Sequence, residues 1–290
     1  MVSISYVLHL ILIISLLINH KKMNHTPPII IENKNKTVAY YSSSTPNNLI
    51  LFVHGFSGKS TGTWNDFPSL IHEHNEFAHS DIIFYGYKSV RWQANYSAMS
   101  FKQFLLTHTQ TNLPERTRLS NLNLPNNFSY NRIILVAHSL GAIVVRRAML
   151  FVKGQYNSHP LLNNIRMVLF APAHRGTLIN DSLVSVLPNM VQIVATLGLL
   201  AVPVIKNLQP DSGTIQDLII DTKIHRDNNE GDFTIARKVI WAEKEWVVCQ
   251  DRFDPNEQPI IQTNTNHLSV CKPVNGTYDF PIEYVIQELI

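Results

Sequence analysis

Only two cysteines, Cys249 and Cys271, occur in the 290 residues. They have neither zinc-finger nor C-x-x-C spacing, which removes those metal and redox readings. A disulfide between them stays open, and two thiols is the simpler expectation. The thirteen histidines contain no H-x-x-x-H pair, so no zinc site is expected. Charge is sparse as well: charged residues make up 16% and the formal net charge is +3. There is no dense Lys/Arg cluster and no nucleic-acid module signature, so nucleic-acid binding drops out as a function class. Internal repeats are absent, which excludes solenoids and propellers.

The first residues need separate treatment. Met1 to Ile18, "MVSISYVLHLILIISLLI", is almost wholly apolar and close to the minimum length for a membrane helix. A secretory signal would carry positive charge before the run and a small-residue cleavage site after it, and neither is present. Lys21, Lys22, Lys34 and Lys36 follow instead, which leaves the C-terminal side in the cytoplasm. Two readings of residues 1–22 result. They are a membrane anchor with a cytoplasmic domain behind it, membrane association then running through residues 1–18, or they precede a true start at Met23 of a cytoplasmic protein. Six Asn-x-Ser/Thr sequons, starting at Asn24, Asn35, Asn95, Asn127, Asn180 and Asn275, carry little weight in so Asn-rich a chain.

What the chain does have is 45% hydrophobic residues, arranged as short apolar runs alternating with helical stretches. Strands are expected at "TVAYYS", "NLILFVHG", "DIIFYGY", "RIILVAH", "IRMVLFAP" and "KVIWAE", with a further one at "PIIQT". Helices are expected at "TWNDFPSLIHEHNEF", "SAMSFKQFLLTHTQ", "GAIVVRRAMLFV" and "FPIEYVIQELI", and a polar loop over about Thr111 to Asn131. The runs "LILFV", "IILVA" and "MVLFA" are apolar throughout, as strands buried on both faces of a parallel sheet are. Alternation of such strands with helices predicts a mostly parallel, doubly wound α/β sheet. Leu183 to Ile205 departs from the pattern. It is strongly apolar yet broken by Pro188, Asn189, Gln192, Gly198 and Pro203, which fits a helical cap over a binding pocket, or else ordinary buried helices, better than a membrane span. The expected layout is residues 1–22 apart, a domain over 37–290, and a cap insertion at about 178–225.

Chemistry concentrates where strands end. "AHSLG", Ala137 to Gly141, is a variant of the G-x-S-x-G nucleophile elbow, lying between an apolar strand and a helical stretch as that motif must. The tight turn needs small residues at Ala137 and Gly141 and exposes the Ser139 hydroxyl. The following helix aims N–H groups at a developing anion. "LFVHGFSG", Leu51 to Gly58, ends another buried strand, and "NTNHLSVCKP", Asn264 to Pro273, sits late in the chain.

These segments resemble the α/β-hydrolase family. The pattern H-L-S-x-x-K-P, with "APAHRGT" and "LQPDSGTIQDL", is similar to lipase/esterase-like serine hydrolases related to GPI inositol-deacylases. The resemblance covers most of Asn48 to Ile290. It implies an α/β-hydrolase fold with a helical cap, Ser139 as nucleophile, and His267 as base. It also implies backbone N–H groups of Phe56 and Leu140 as the oxyanion donors. His54 and His138 then sit in motifs that the family uses structurally, His174 lies near the pocket, and Ser57 is a loop serine. For the acid, the family's D-x-x-V spacing points to Glu245 in "EWVV", with Asp251 and Glu243 as rivals. The implied activity is hydrolysis of a small-molecule acyl ester, a lipid ester among them, with no metal or organic cofactor. Acyl transfer, thioester cleavage or amide cleavage would use the same residues, and a degenerate scaffold would only bind. Labelling of Ser139 by a fluorophosphonate separates enzyme from binder.

Overall fold

The computed structural model describes residues 24–32, 34–109, 114–156, 159–178, 208–228 and 233–290. Eight strands form one sheet in the order β1-β2-β4-β3-β5-β6-β7-β8. They are β1 (Ile29–Glu32), β2 (Thr37–Tyr40), β3 (Asn48–Val53), β4 (Ser80–Tyr85), β5 (Arg132–His138), β6 (Ile165–Phe170), β7 (Lys238–Lys244) and β8 (Pro259–Asn266). Antiparallel pairing is confined to β1 with β2 and β2 with β4; the other neighbours run parallel. All six residues of β3 and of β4 are buried, as two-sided coverage requires. The described helices are α1 (Phe67–Leu70), α2 (Ala94–Thr109), α3 (Pro114–Ser120), α4 (Leu140–Gln155), α5 (Gly213–Asp227) and α6 (Phe280–Ile286). Of these, α2 and α5 both pack on α4, which lies against β3 and β5.

Three elements differ from the sequence expectation. The sheet begins at Ile29, upstream of the Thr37 boundary: Ile29 pairs with Ala39 and Ile30 with Val38 at an edge. "TWNDFPSLIHEHNEF" is a single turn, α1, between two 3-10 turns rather than one helix. Asn65, at φ 50°, breaks it, and Pro68 restarts it. Its apolar spacing still works, because Trp64 and Phe67 both pack against Phe52, at ring distances of 4.9 and 4.6 Å. Burying each such ring is worth about 2–3 kcal/mol. The expected loop at 111–131 contains α3. Its Arg116 donates two hydrogen bonds of 2.8 Å to the buried Asp81 carboxylate, which also accepts the Tyr130 hydroxyl. That bidentate pair fastens the segment to the start of β4.

Both cysteines are free thiols, and burial pushes that of Cys271 up to about 12. No described helix is long and apolar enough to cross a membrane. The anchor expected in residues 1–22 and the apolar run Leu183 to Ile205 of the expected cap lie outside the described residues.

Register sets up the site. Val53 on β3 pairs with Ala137 on β5, and His138 with Phe170 on β6, so three loops leave the sheet at one level. On the far side β7 and β8 pair regularly as far as Ala242↔Gln262, and the next pair is Lys244↔Asn266. A bulge on β8 thus inserts two extra residues before the strand ends. Within it Asn264 has φ 57°, and its N–H donates to Glu243 Oε2 at 2.9 Å.

Candidate active site

Ser139 stands between β5 and α4 with φ 53° and ψ −119°, a conformation that L-residues occupy only when their surroundings impose it. The surroundings are visible. Its N–H donates to Phe170 O at 3.0 Å, and its carbonyl accepts from Ala142 N at 3.0 Å and Ala173 N at 3.2 Å. A side chain at Gly141 would run into the carbonyl oxygens of Val53 and His54, and one at Gly55 would come within 2.9 Å of Ser139 Cβ. The elbow therefore requires glycine on both sides, in its own turn and in the turn after β3.

His267 and Glu245 each follow the last residue of a strand. Because Lys244 pairs with Asn266, the two side chains leave the sheet as neighbours. His267 Nε2 lies 3.1 Å from Ser139 Oγ, and Nδ1 lies 3.0 Å from each Glu245 carboxylate oxygen. With Nδ1 donating to the carboxylate, Nε2 is left to accept the serine hydroxyl. Glu245 also accepts the N–H groups of Val247 at 2.9 Å and Val248 at 3.2 Å, which turns its buried carboxylate toward the imidazole. The rivals lie elsewhere. Glu243 is exposed and closes the β8 bulge. Asp251 is exposed, and its backbone oxygen faces His174 Nε2 at 3.3 Å.

Two backbone N–H groups, of Leu140 and Phe56, lie next to the elbow serine and to Gly55 in the chain. Leu140 opens α4, so its N–H has no intrahelical acceptor. Among the described residues neither that N–H nor the one of Phe56 bonds another protein group. Ser57 is exposed in the turn after Phe56, has φ 57°, and is hydrogen-bonded to neither His267 nor Ser139.

Three further histidines are buried around the serine, and burial lowers all of them. His54 is held down to about 4. His138 is held down to about 3 by burial and then by the neighbouring His267 ring. His174, packed against Phe253 and Trp241, is held well below the ordinary range, first by burial and then by the Arg146 charge. His138 Nε2 donates to the His267 carbonyl at 2.8 Å, tying the histidine loop to the end of β5. Sequence reasoning missed this bond, the two N–H groups on Glu245, and Tyr87, whose ring stacks on His54. The His138 and Tyr87 contacts join segments 129 and 33 residues apart and leave no local pattern, whereas the N–H groups on Glu245 come from within three residues of it and correspond to the E-x-x-V spacing. Arg146, fully buried in α4 behind the elbow, was likewise unforeseen. It pairs with Glu257 and lies over the Phe253 ring at 4.1 Å. Among the described residues no three His, Cys, Asp or Glu side chains are grouped to hold a metal ion.

No curated protein matches the chain. Among solved structures, the mature form of lipase BlEst2 from Bacillus licheniformis superposes with a TM-score of 0.53 at 15% identity, covering 86% of this chain and 97% of that one. The propeptide form of that lipase gives 0.51 at 17%, covering 86% and 51%. At such identities the likeness is one of fold, and the strand order above is that of an α/β-hydrolase. A family model speaks to the chemistry. Residues 43–203, more than half of the chain and with the Ser139 elbow inside them, match the family described as "Putative serine esterase (DUF676)"; the chain belongs to that family and is a serine esterase.

Proposed function

We propose that this esterase works through an acyl-enzyme, with Ser139 as nucleophile, His267 as general base and acid, and Glu245 as the carboxylate that orients and stabilises the imidazolium. The carrying observation is the unbroken hydrogen-bonded chain from Glu245 through His267 to Ser139, ending on a strained backbone at the mouth of a helix. As Ser139 Oγ forms its bond to the ester carbonyl carbon, its proton passes to His267 Nε2. The carbonyl oxygen becomes an oxyanion facing the N–H groups of Phe56 and Leu140. Collapse breaks the bond to the alkoxide, which leaves with the proton from Nε2. Water then repeats the sequence: it gives a proton to His267, attacks the acyl carbon, and releases the acid and the regenerated serine.

The substrate class is a small-molecule carboxylic ester with an apolar acyl group. The sequence of Leu183 to Ile205 supports this, being apolar and following directly on the β6 loop that carries Ala173 to the serine. A cap over 178–225 and an anchor in 1–18 belong to the same proposal on sequence alone. The test is direct. A fluorophosphonate should label the wild type at Ser139 and leave folded Ser139→Ala unlabelled. That variant should lose about four or more orders of magnitude in kcat on p-nitrophenyl butyrate. Ordinary turnover by folded Ser139→Ala would end the assignment.

A further inference from the structure

The turn after β3 presents a problem that the triad does not solve. Gly55 must be glycine, because any side chain would strike Ser139. Glycine leaves its own peptide plane free to rotate, since φ > 0 costs it nothing. Yet the Gly55–Phe56 peptide is the one whose N–H the proposed mechanism uses. Something outside the glycine has to hold that plane.

The Gly55 carbonyl oxygen accepts two hydrogen bonds. One comes from Gly58 N–H at 3.1 Å and closes a β-turn whose third residue, Ser57, has φ 57°, the mark of a type II turn. The other involves His54 Nδ1 at 2.8 Å. In a trans peptide the C=O and the next N–H point in opposite directions. Two donors pulling the Gly55 oxygen to one side therefore turn the Phe56 N–H to the other, into the site.

The imidazole is itself clamped. Tyr87 stacks on it with ring centroids 4.4 Å apart and planes at 21°. The Tyr87 N–H donates to His54 Nε2 at 3.4 Å, and the Tyr87 hydroxyl donates to the His54 carbonyl at 2.8 Å. A nitrogen that accepts an N–H carries no proton, so Nε2 is bare and the hydrogen sits on Nδ1, where it reaches Gly55 O. Burial holds His54 down to about 4, which keeps this neutral form at neutral pH. We propose that His54 is a positioning residue for catalysis, its Nδ1–H fixing the Gly55–Phe56 peptide as an oxyanion donor and Tyr87 fixing its tautomer and ring. This deepens the mechanism above and rests on its use of the Phe56 N–H.

Four variants of the full chain test it: Phe56→Pro, His54→Phe, His54→Asn and His54→Gln. Proline suits the second position of a type II turn and has no N–H, so Phe56→Pro deletes the donor and keeps the turn. It should lower kcat by about 100-fold. His54→Phe keeps a ring against Tyr87 and removes the hydrogen bond. It should lower kcat by roughly tenfold or more with KM within about twofold, and weaken a phenylboronic acid, which mimics the tetrahedral state, by the same factor. An Asn side-chain amide lies near the place of Nδ1 and that of Gln near Nε2. His54→Asn should therefore return kcat to within about threefold of wild type and His54→Gln should not. An unchanged kcat in Phe56→Pro would refute the oxyanion reading itself. A depressed Phe56→Pro beside an unaffected His54→Phe would refute the role of His54 alone. Equal activity in the Asn and Gln variants would refute it too, and that comparison stands even if His54→Phe fails to fold.

Discussion

His138 makes stability at mild acid a readout of how the site is built. It is 5% exposed, and burial, followed by the adjacent His267 ring, lowers it from 6.5 to about 3. At pH 7.5 neither the folded nor the unfolded chain protonates it, and it contributes nothing to the balance. Below 6.5 the unfolded chain takes up a proton that the folded chain refuses until about 3. Stability therefore falls with pH across that window, by about 1.4 kcal/mol for each pH unit. Between pH 7.5 and 5.0 the loss from this one residue comes to about 2 kcal/mol. His138→Gln isolates it, because a Gln amide nitrogen near the place of Nε2 keeps a donor to the His267 carbonyl and cannot titrate. The assay is urea unfolding of both proteins at pH 7.5 and pH 5.0. The wild type should lose about 2 kcal/mol more than the variant between the two, with similar m values. Equal losses would mean that His138 takes up no extra proton on unfolding, and the argument from burial would fail.

Glu245→Gln should lower kcat by about 1,000-fold or more, since a neutral amide neither fixes the His267 tautomer nor stabilises its imidazolium. Glu243→Gln should cost less than about tenfold, through loosening of the β8 bulge, and Asp251→Asn less than about twofold; steady-state kinetics on one p-nitrophenyl ester rank the three. If Asp251→Asn is the crippling change, the carboxylate assignment is wrong. Gly141→Ala should destabilise the fold by about 3 kcal/mol, because the methyl group meets two backbone carbonyls that cannot step aside. Calorimetry should show Tm lower by roughly 5 °C, and an unchanged Tm would mean that the elbow is looser than its contacts imply.

The sheet was legible where strands are buried on both faces. "LILFV", "IILVA" and "MVLFA" announce β3, β5 and β6 because a solid apolar run has few other uses. β1 escaped notice because its four residues lie on an edge among Pro and Asn and show no alternation. α3 escaped because its anchor, Arg116 on Asp81, spans 35 residues and leaves no periodic trace. At the site, Ser139 and His267 stood out because each sits in a short motif just past a strand. Glu245 was separable from Glu243 and Asp251 only by its E-x-x-V spacing. The spacing has a physical meaning in the structure, where the two valine N–H groups bind the same carboxylate. What no local pattern encodes is the long-range fastening: His138 to the His267 loop across 129 residues, and His54 to Tyr87 across 33.

The β8 bulge acts as a phase shift. From Ala242↔Gln262 to Lys244↔Asn266, β7 advances by two residues and β8 by four. The pleat does not run through it: Gln262 and Thr265 are both buried, Thr263 and Asn264 between them are both exposed, and Asn264 takes φ 57°. A residue in the left-handed region resets the alternation of side chains, so the strand leaves the bulge with its facing decided by that backbone conformation rather than by a count of residues. The Asn264 N–H donates to Glu243 on the neighbouring strand, which holds the conformation in place. The face on which His267 emerges beside Glu245 is thereby set from β7, two residues before Glu245 itself.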